Sequence, residues 1–170
     1  PDHLVAEILD GDLVTSPRPS APHAHAASTL GMELGPFGRR GGGGPGGWVI
    51  LDEPELHVVG QVLVPDLAGW RRERLPASVA TVTHFEVAPD WVCEVLSPST
   101  AAIDRTRKWR HYARAAVRNL WFVDPGPRVL EVYRLDGEAW RLVASHAGDE
   151  RVRVEPFEAL ELDLGSLWNW

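Results

Sequence analysis

The run Trp91-Val92-Cys93-Glu94-Val95-Leu96 constrains this chain more than any other stretch. Successive side chains of a strand point to opposite faces, and here both faces are apolar except at one position. A strand of that kind belongs in the middle of a sheet covered on both sides. Glu94 breaks the pattern. A carboxylate buried in such a strand costs free energy unless it is paired or bound to a metal. The run therefore calls for a layered α/β fold that also supplies a partner for Glu94.

The flanking residues extend the reading. Ser97-Pro98-Ser99-Thr100 predicts a turn and a helix cap, with Ser99 or Thr100 accepting from the first free amides. A helix is expected to run to about Val117, with Trp109, Tyr112, Ala113 and Ala116 as its packing stripe. Residues 120–123 read as the next strand. A helix between two apolar strands predicts a βαβ crossover. Asp124-Pro125-Gly126-Pro127 turns the chain into a strand at 129–133, and segments 140–144 and 152–154 are expected to complete a meander.

Upstream, residues 3–9 read as the end of a helix or a short strand. Asp10-Gly11-Asp12 is a tight turn, and 13–15 is a strand ended by Pro17 and Pro19. Residues 22–37 predict a helix with Ala26, Leu30, Leu34 and Phe37 near one face. The glycine run 41–47, broken only by Pro45, reads as a flexible loop and lacks the Gly-Lys-Ser/Thr ending of a phosphate cradle. Short strands at 48–51, 55–59 and 61–64 lead to Pro65-Asp66, and 71–90 read as a charged, turn-rich loop. The expected fold class is α/β, a mixed β-sheet flanked by helices with antiparallel strands toward the C-terminus, in a single domain over residues 1–170.

A net charge of -7 counts against a protein that coats nucleic acid without specificity, which needs a basic footprint. It leaves room for a metal nuclease, because acids that hold divalent ions lower net charge and the ions restore a local positive field. Basic residues gather at Arg71, Arg72 and Arg74 and again at Arg105, Arg107, Lys108, Arg110 and Arg114; a solvated face explains such runs equally well. The single cysteine, Cys93, forms no intramolecular disulfide, and its apolar run offers nothing to activate a thiol. No apolar stretch approaches the ~20 residues that span a membrane. No signal-like segment opens the chain, which begins at Pro1, and a cytoplasmic location is the default expectation.

Asp66, Glu94 and Lys108 carry the strongest chemical signal. A divalent ion neutralises a phosphodiester and lowers the pKa of bound water. Magnesium takes oxygen ligands, typically one or two carboxylates with waters and phosphate oxygens; manganese is an expected substitute. Asp66 and Glu94 on neighbouring strands are suited to share such an ion. Lys108 adds a fixed charge that orients water or stabilises the transition state. Asp104, Lys108 and Tyr112 follow each other at i, i+4 and i+8 and share one side of the helix. Pro-Asp recurs at Pro1-Asp2 and Pro89-Asp90, but only Pro65-Asp66 follows an apolar strand at a hairpin's distance from Glu94. Asp90 lies about 13 Å from Glu94 along an extended strand, too far to share an ion. The plainer alternative is a strand-end aspartate and a glutamate paired with an arginine. Other candidates are His23 and His25 as a His-x-His pair, and Glu55, beside His57, as a third acid or a solvated strand end. Ser97 and Ser99 lack the glycines of a nucleophile elbow.

Pro65-Asp66-Leu67, the stretch from Asp90 to Thr100, Asp104-Arg105, Lys108, Tyr112 to Val117 and Leu120 to Pro125 together closely resemble the Uma-two family of restriction-endonuclease-like proteins, in the PD-(D/E)XK nuclease superfamily. The likeness extends to Glu7 through Val14, to Ser16-Pro17 and to His23. It implies a restriction-endonuclease-like core and Mg2+-dependent endonucleolytic hydrolysis of DNA. Asp66 matches the first acid of the motif and Glu94 the second. The motif's lysine belongs two residues after Glu94, where Leu96 stands; Lys108 on the following helix matches instead. Glu7 falls where related nucleases place a helix glutamate, and His23 and Tyr112 are further auxiliary candidates. Arg71, Arg72 and Arg105 are candidates for contact with nucleic acid. Cutting both strands calls for two sites, hence a homodimer, with Trp140, Trp168 and Trp170 as a dimer surface or as monomer core. The rival reading is a catalytically inactive nuclease fold that binds nucleic acid or a protein partner; a weaker one is hydrolysis of another phosphoester.

Overall fold

The computed structural model describes residues 4–38 and 44–170. Of the glycine loop expected over 41–47, residues 41–43 lie outside the described residues. In chain order the elements begin with β1 (Leu4–Leu9) and β2 (Asp12–Pro17), a hairpin turning on Asp10 and Gly11 at φ 55° and 85°. Residues 4–9 are thus strand rather than helix. α1 (Ala21–Glu33) and the single turn α2 (Gly35–Gly38) follow, and Ala26, Leu30, Leu34 and Phe37 are all buried as the spacing predicts. Next come β3 (Trp48–Asp52), β4 (Leu56–Val58), β5 (Gln61–Leu63) and β6 (Leu67–Arg71).

No strand was expected at 67–71, because Pro65 and Gly69 weaken local strand propensity. Pairing with β3 on one edge and with the strand at Trp91 on the other overrides it. Gly69 is also required by packing: a Cβ there would stand 3.2 Å from the rings of both Trp48 and Trp91. Short 3-10 turns at Arg72–Arg74 and Ala77–Thr81 punctuate the segment read as a loop.

The second half contains β7 (Trp91–Val95), α3 (Ala101–Ile103), a π-helical turn (Asp104–Lys108) and α4 (Trp109–Arg114). Then follow β8 (Asn119–Asp124), β9 (Val129–Asp136), β10 (Ala139–Ala147), β11 (Arg151–Val152) and β12 (Leu162–Asp163). The main sheet has the order β10-β9-β8-β7-β6-β3, and a smaller one the order β2-β1-β5-β4. β7 and β8 run parallel across the expected βαβ crossover, while the other described pairs of the main sheet are antiparallel. β11 leaves the meander and pairs with β12 instead, and Val152 and Val154 cover the core.

Strand parity divides the core. Trp91, Cys93 and Val95 face α1 with Trp48, Trp121 and Phe157. Val92 and Leu96 face Trp70, Leu120, Phe122 and Tyr112 on the side of α4. Each buried indole removes roughly 200 Å² from water, about 5 kcal/mol before ordering costs. Burial pushes the Cys93 thiol well up, consistent with a core residue. Trp168 packs in the core and Trp140 donates to the Trp109 carbonyl at 2.9 Å, so of the three C-terminal indoles only Trp170 stands exposed.

Two details of the crossover helix differ from expectation. Thr100 makes no side-chain cap bond; the Ser97 carbonyl accepts the amides of Thr100 and Ala101 instead. Ala116 is exposed and has φ 57°, beyond the helix end. The buried face of the helix is largely polar, formed by Asp104, Lys108, His111 and Tyr112.

Candidate active site

The β6–β7 register pairs Leu67 with Cys93 and Ala68 with Val92. One step along this antiparallel ladder sets Asp66 opposite Glu94. The period of two puts both on the Ala68 and Val92 face, where α4 packs. The Val95 amide donates to Asp66 Oδ2 at 2.6 Å, which fixes that carboxylate against the neighbouring strand. His23, from the first turn of α1, places Nε2 3.3 Å from Asp66 Oδ1.

Glu94 is 2% exposed. Its Oε1 accepts from the Tyr112 hydroxyl at 2.5 Å and lies 2.7 Å from Lys108 Nζ. The same ammonium lies 3.1 Å from Glu7 Oε1, 3.5 Å from Asp104 Oδ1 and 3.3 Å from the Val64 carbonyl. Glu7 in turn accepts from the Val64 amide at 2.7 Å. The π-helical turn places Asp104 and Lys108 together over Glu94, and such turns are frequent at functional sites. Glu7, His23, Asp66, Glu94, Asp104 and Lys108 line one hollow of about 320 Å³.

Burial pushes the Glu94 carboxyl well above its usual range, against the pull of Lys108. Burial likewise raises Asp104. Burial works against the Lys108 ammonium, but Glu94 first, then Tyr112, Glu7 and Asp104, hold it well above its ordinary value. The Tyr112 hydroxyl is pushed up by burial and stays a donor. Burial opposes protonation of His23 as well, yet its bond to Asp66 outweighs this and lifts it. Four acids converge on one ammonium and one imidazole, a set of oxygen donors that suits a cation once the acids ionise.

The Uma2 family model, described as "Putative restriction endonuclease", matches residues 2–165. The chain belongs to the Uma2 family. It is similar to a crystal structure described as a putative nuclease belonging to DUF820 from Anabaena variabilis ATCC 29413. The identity is 22%, the TM-score is 0.76, and the match covers 96% of this chain and 89% of that one. That likeness supports the same restriction-endonuclease-like core. A comparison with curated proteins gave no match.

In this Uma2 chain Leu96, two residues after Glu94, is buried in the apolar layer, and Lys108 supplies the ammonium from the π-helical turn. Glu7 reaches the hollow from strand β1 rather than from a helix. Asp104 was not singled out as a site residue. An acid four residues before the candidate lysine, on the side it shares with Tyr112, was the available signal. Asp90 accepts from the Arg71 amide at 2.8 Å and pairs with Arg74 at 2.7 Å, apart from the site.

The remaining candidates lie outside the hollow. The Arg71 guanidinium sits 4.2 Å over the Trp48 ring. Arg72 donates to the carbonyls of Gly38 at 3.0 Å and Trp48 at 2.7 Å. Arg105 pairs with Glu131 at 2.6 Å and covers Phe122. His25 does not join His23: its Nε2 lies 3.1 Å from the Ser166 carbonyl and its ring stacks on Trp170. Glu55 is not a third acid of the hollow but stands with His57 and His84, the three offering ligand atoms within 4.8 Å of one another. Among the described residues no helix is long and apolar enough to cross a membrane.

Proposed function

We propose that this Uma2 chain is a divalent-metal-dependent endonuclease that hydrolyses phosphodiester bonds of DNA. One observation carries the reading: Asp66 and Glu94 oppose each other on adjacent strands, on one face, in a hollow that also holds Lys108. The donor set fits magnesium, which needs only one or two carboxylates beside waters and phosphate oxygens. Asp66 and Glu94 would hold the ion, and manganese would substitute. The ion would supply Lewis acidity and a bound water of lowered pKa.

The chain's own groups do the rest. His23 and the Val95 amide orient Asp66. The Tyr112 hydroxyl orients Glu94, while Glu7 and Asp104 hold the lysine in place. Lys108 keeps its proton in this setting, so it acts as a fixed positive charge toward water or a phosphate oxygen and not as a base. The rim at Arg18, Ser97 and Ser99 is the surface on which a phosphate backbone would enter. Cleavage of both strands would use two copies of the chain related by a twofold axis.

A second reading, a silent nuclease fold that binds nucleic acid or a protein, also has an observation in its favour. The Lys108 ammonium already pairs with Glu94 at 2.7 Å and with Glu7 at 3.1 Å. Calorimetric titration with magnesium and manganese, paired with a cleavage assay on duplex DNA, single strands, RNA and nucleotides, decides between them. The enzyme reading expects metal binding that Asp66→Ala removes, together with metal-dependent cleavage of DNA. No heat and no thermal shift from either ion would leave the silent module standing.

A further inference from the structure

Glu55-Leu56-His57 and His84-Phe85-Glu86 are brought side by side outside the lining of the hollow. Leu56 forms a parallel bridge with Phe85. The His57 amide donates to the Phe85 carbonyl and the Phe85 amide to the Glu55 carbonyl, each at 2.8 Å. Leu56 is fully buried and Phe85 stacks on Trp70 at 4.6 Å. Strand parity then turns the flanking residues of both segments outward, as a grid of two acids and two histidines.

The grid is compact. His57 Nε2 lies 2.7 Å from Glu55 Oε1. The rings of His57 and His84 stack at 4.0 Å and 21°. Ligand atoms of Glu55, His57 and His84 all lie within 4.8 Å of one another. Glu86 Oε1 is 3.9 Å from His84 Nε2.

We propose that Glu55, His57 and His84 bind a zinc-class transition ion, with Glu86 or water in the fourth position. Imidazole ligands select zinc, nickel or copper over magnesium, and two imidazoles with a carboxylate are a common zinc set. Zinc bonds of about 2.0–2.2 Å put tetrahedral ligand atoms roughly 3.3 Å apart. The present spacing closes to that by side-chain rotations, which the partly exposed histidines are free to make. The stacked rings of His57 and His84, 4.0 Å apart, bring imidazole nitrogens of both segments beside the Glu55 carboxylate. Bound there, the ion clasps the segment that joins β6 to β7, the two strands bordering Asp66 and Glu94, onto β4. The proposal stands whether or not the hollow is catalytic.

The test uses the whole chain, stripped with a chelator, in an Asp66→Ala background that removes one acid of the hollow. Zinc and cobalt(II) are titrated by calorimetry and visible absorption. The expected result is one tight zinc per chain, tetrahedral cobalt bands, and no displacement by excess magnesium. His57→Ala and His84→Ala should each weaken zinc by at least about tenfold and remove those bands. Zinc should also raise the melting temperature of the parent and not of the double-histidine variant. Should the background variant fail to fold, wild-type protein in excess magnesium replaces it, and loss of one zinc equivalent on removing both histidines is the readout. Equal zinc affinity with and without His57 and His84, or no zinc bound by the parent, overturns the proposal.

Discussion

The hollow around Lys108 and the grid around His57 are built from similar groups, yet burial separates their chemistry. Glu94 and Lys108 are almost wholly enclosed, at 2% and 3% exposure. Each charge there must be answered by another, and the proton affinities of Glu94, Asp104, Lys108 and Tyr112 are all displaced. Glu55 and His57 face water, where an ion pair contributes little. Residue type alone does not make a cluster reactive. Position within the core does.

The contrast is broken most strongly at its centre. Lys108→Ala leaves Glu7, Glu94 and Asp104 buried without their ammonium. We expect a loss of about 3–5 kcal/mol in metal-free protein by urea unfolding, together with loss of cleavage. An ammonium is no metal ligand, so the residue's chemistry alone predicts little change in metal affinity. The geometry sharpens this: Nζ competes for Glu94, and magnesium should bind more tightly to the variant. Weaker binding would show that the lysine assists the metal. Asp66→Asn and Glu94→Gln should each lower the rate of plasmid cleavage by roughly 10³-fold with the fold retained.

A pH series sharpens the same comparison. Glu94 and Asp104 have raised folded-state values, so the native protein holds protons that the unfolded chain releases. Stability of the metal-free protein should therefore fall as pH rises from the ordinary carboxylate range through their raised values. His23 adds a contribution of the same sign, present in full below its ordinary 6.5 and lost through its raised value. Glu94→Gln should flatten the slope measured by urea unfolding at successive pH. A slope unchanged by that substitution would place the protons elsewhere. Magnesium, which needs the acids ionised, should bind more tightly at higher pH and release protons.

Smaller effects follow outward. His23→Ala should cost about 10–100-fold in cleavage through loss of Asp66 orientation, measured at saturating magnesium. Replacing His57 and His84 together should shift zinc-free stability by no more than about 0.5 kcal/mol. A larger loss would mean that the grid is structural in its own right.

Much of the buried site was readable from residues. An apolar run interrupted by Glu94 announces both a central strand and an unusual acid. Lys108 and Tyr112 were found because helical spacing is local. β6 was hidden, since Gly69 is chosen for two indoles that meet it from distant parts of the chain. Asp104 was overlooked because an acid in a charged helix ordinarily faces water. The π-helical turn has no propensity signature to reveal that this helix buries its charged side. The grid was half visible: Glu55-Leu56-His57 alternates, but His84-Phe85-Glu86 lies in a stretch whose charges and turns read as loop. Only the bridge between Leu56 and Phe85 joins them.

The ladder between β6 and β7 leaves this site unequally tolerant of insertions and deletions. The stretch between Arg74 and His84 can lengthen or shorten, and the acids still meet as long as Leu67 stays across from Cys93, whereas residues 84–90 are held by Phe85 and Asp90. One residue added within either strand reverses the parity beyond it and sends an acid into the layer of Trp91 and Trp121. Variation among relatives should therefore accumulate between the strands and be nearly absent inside them.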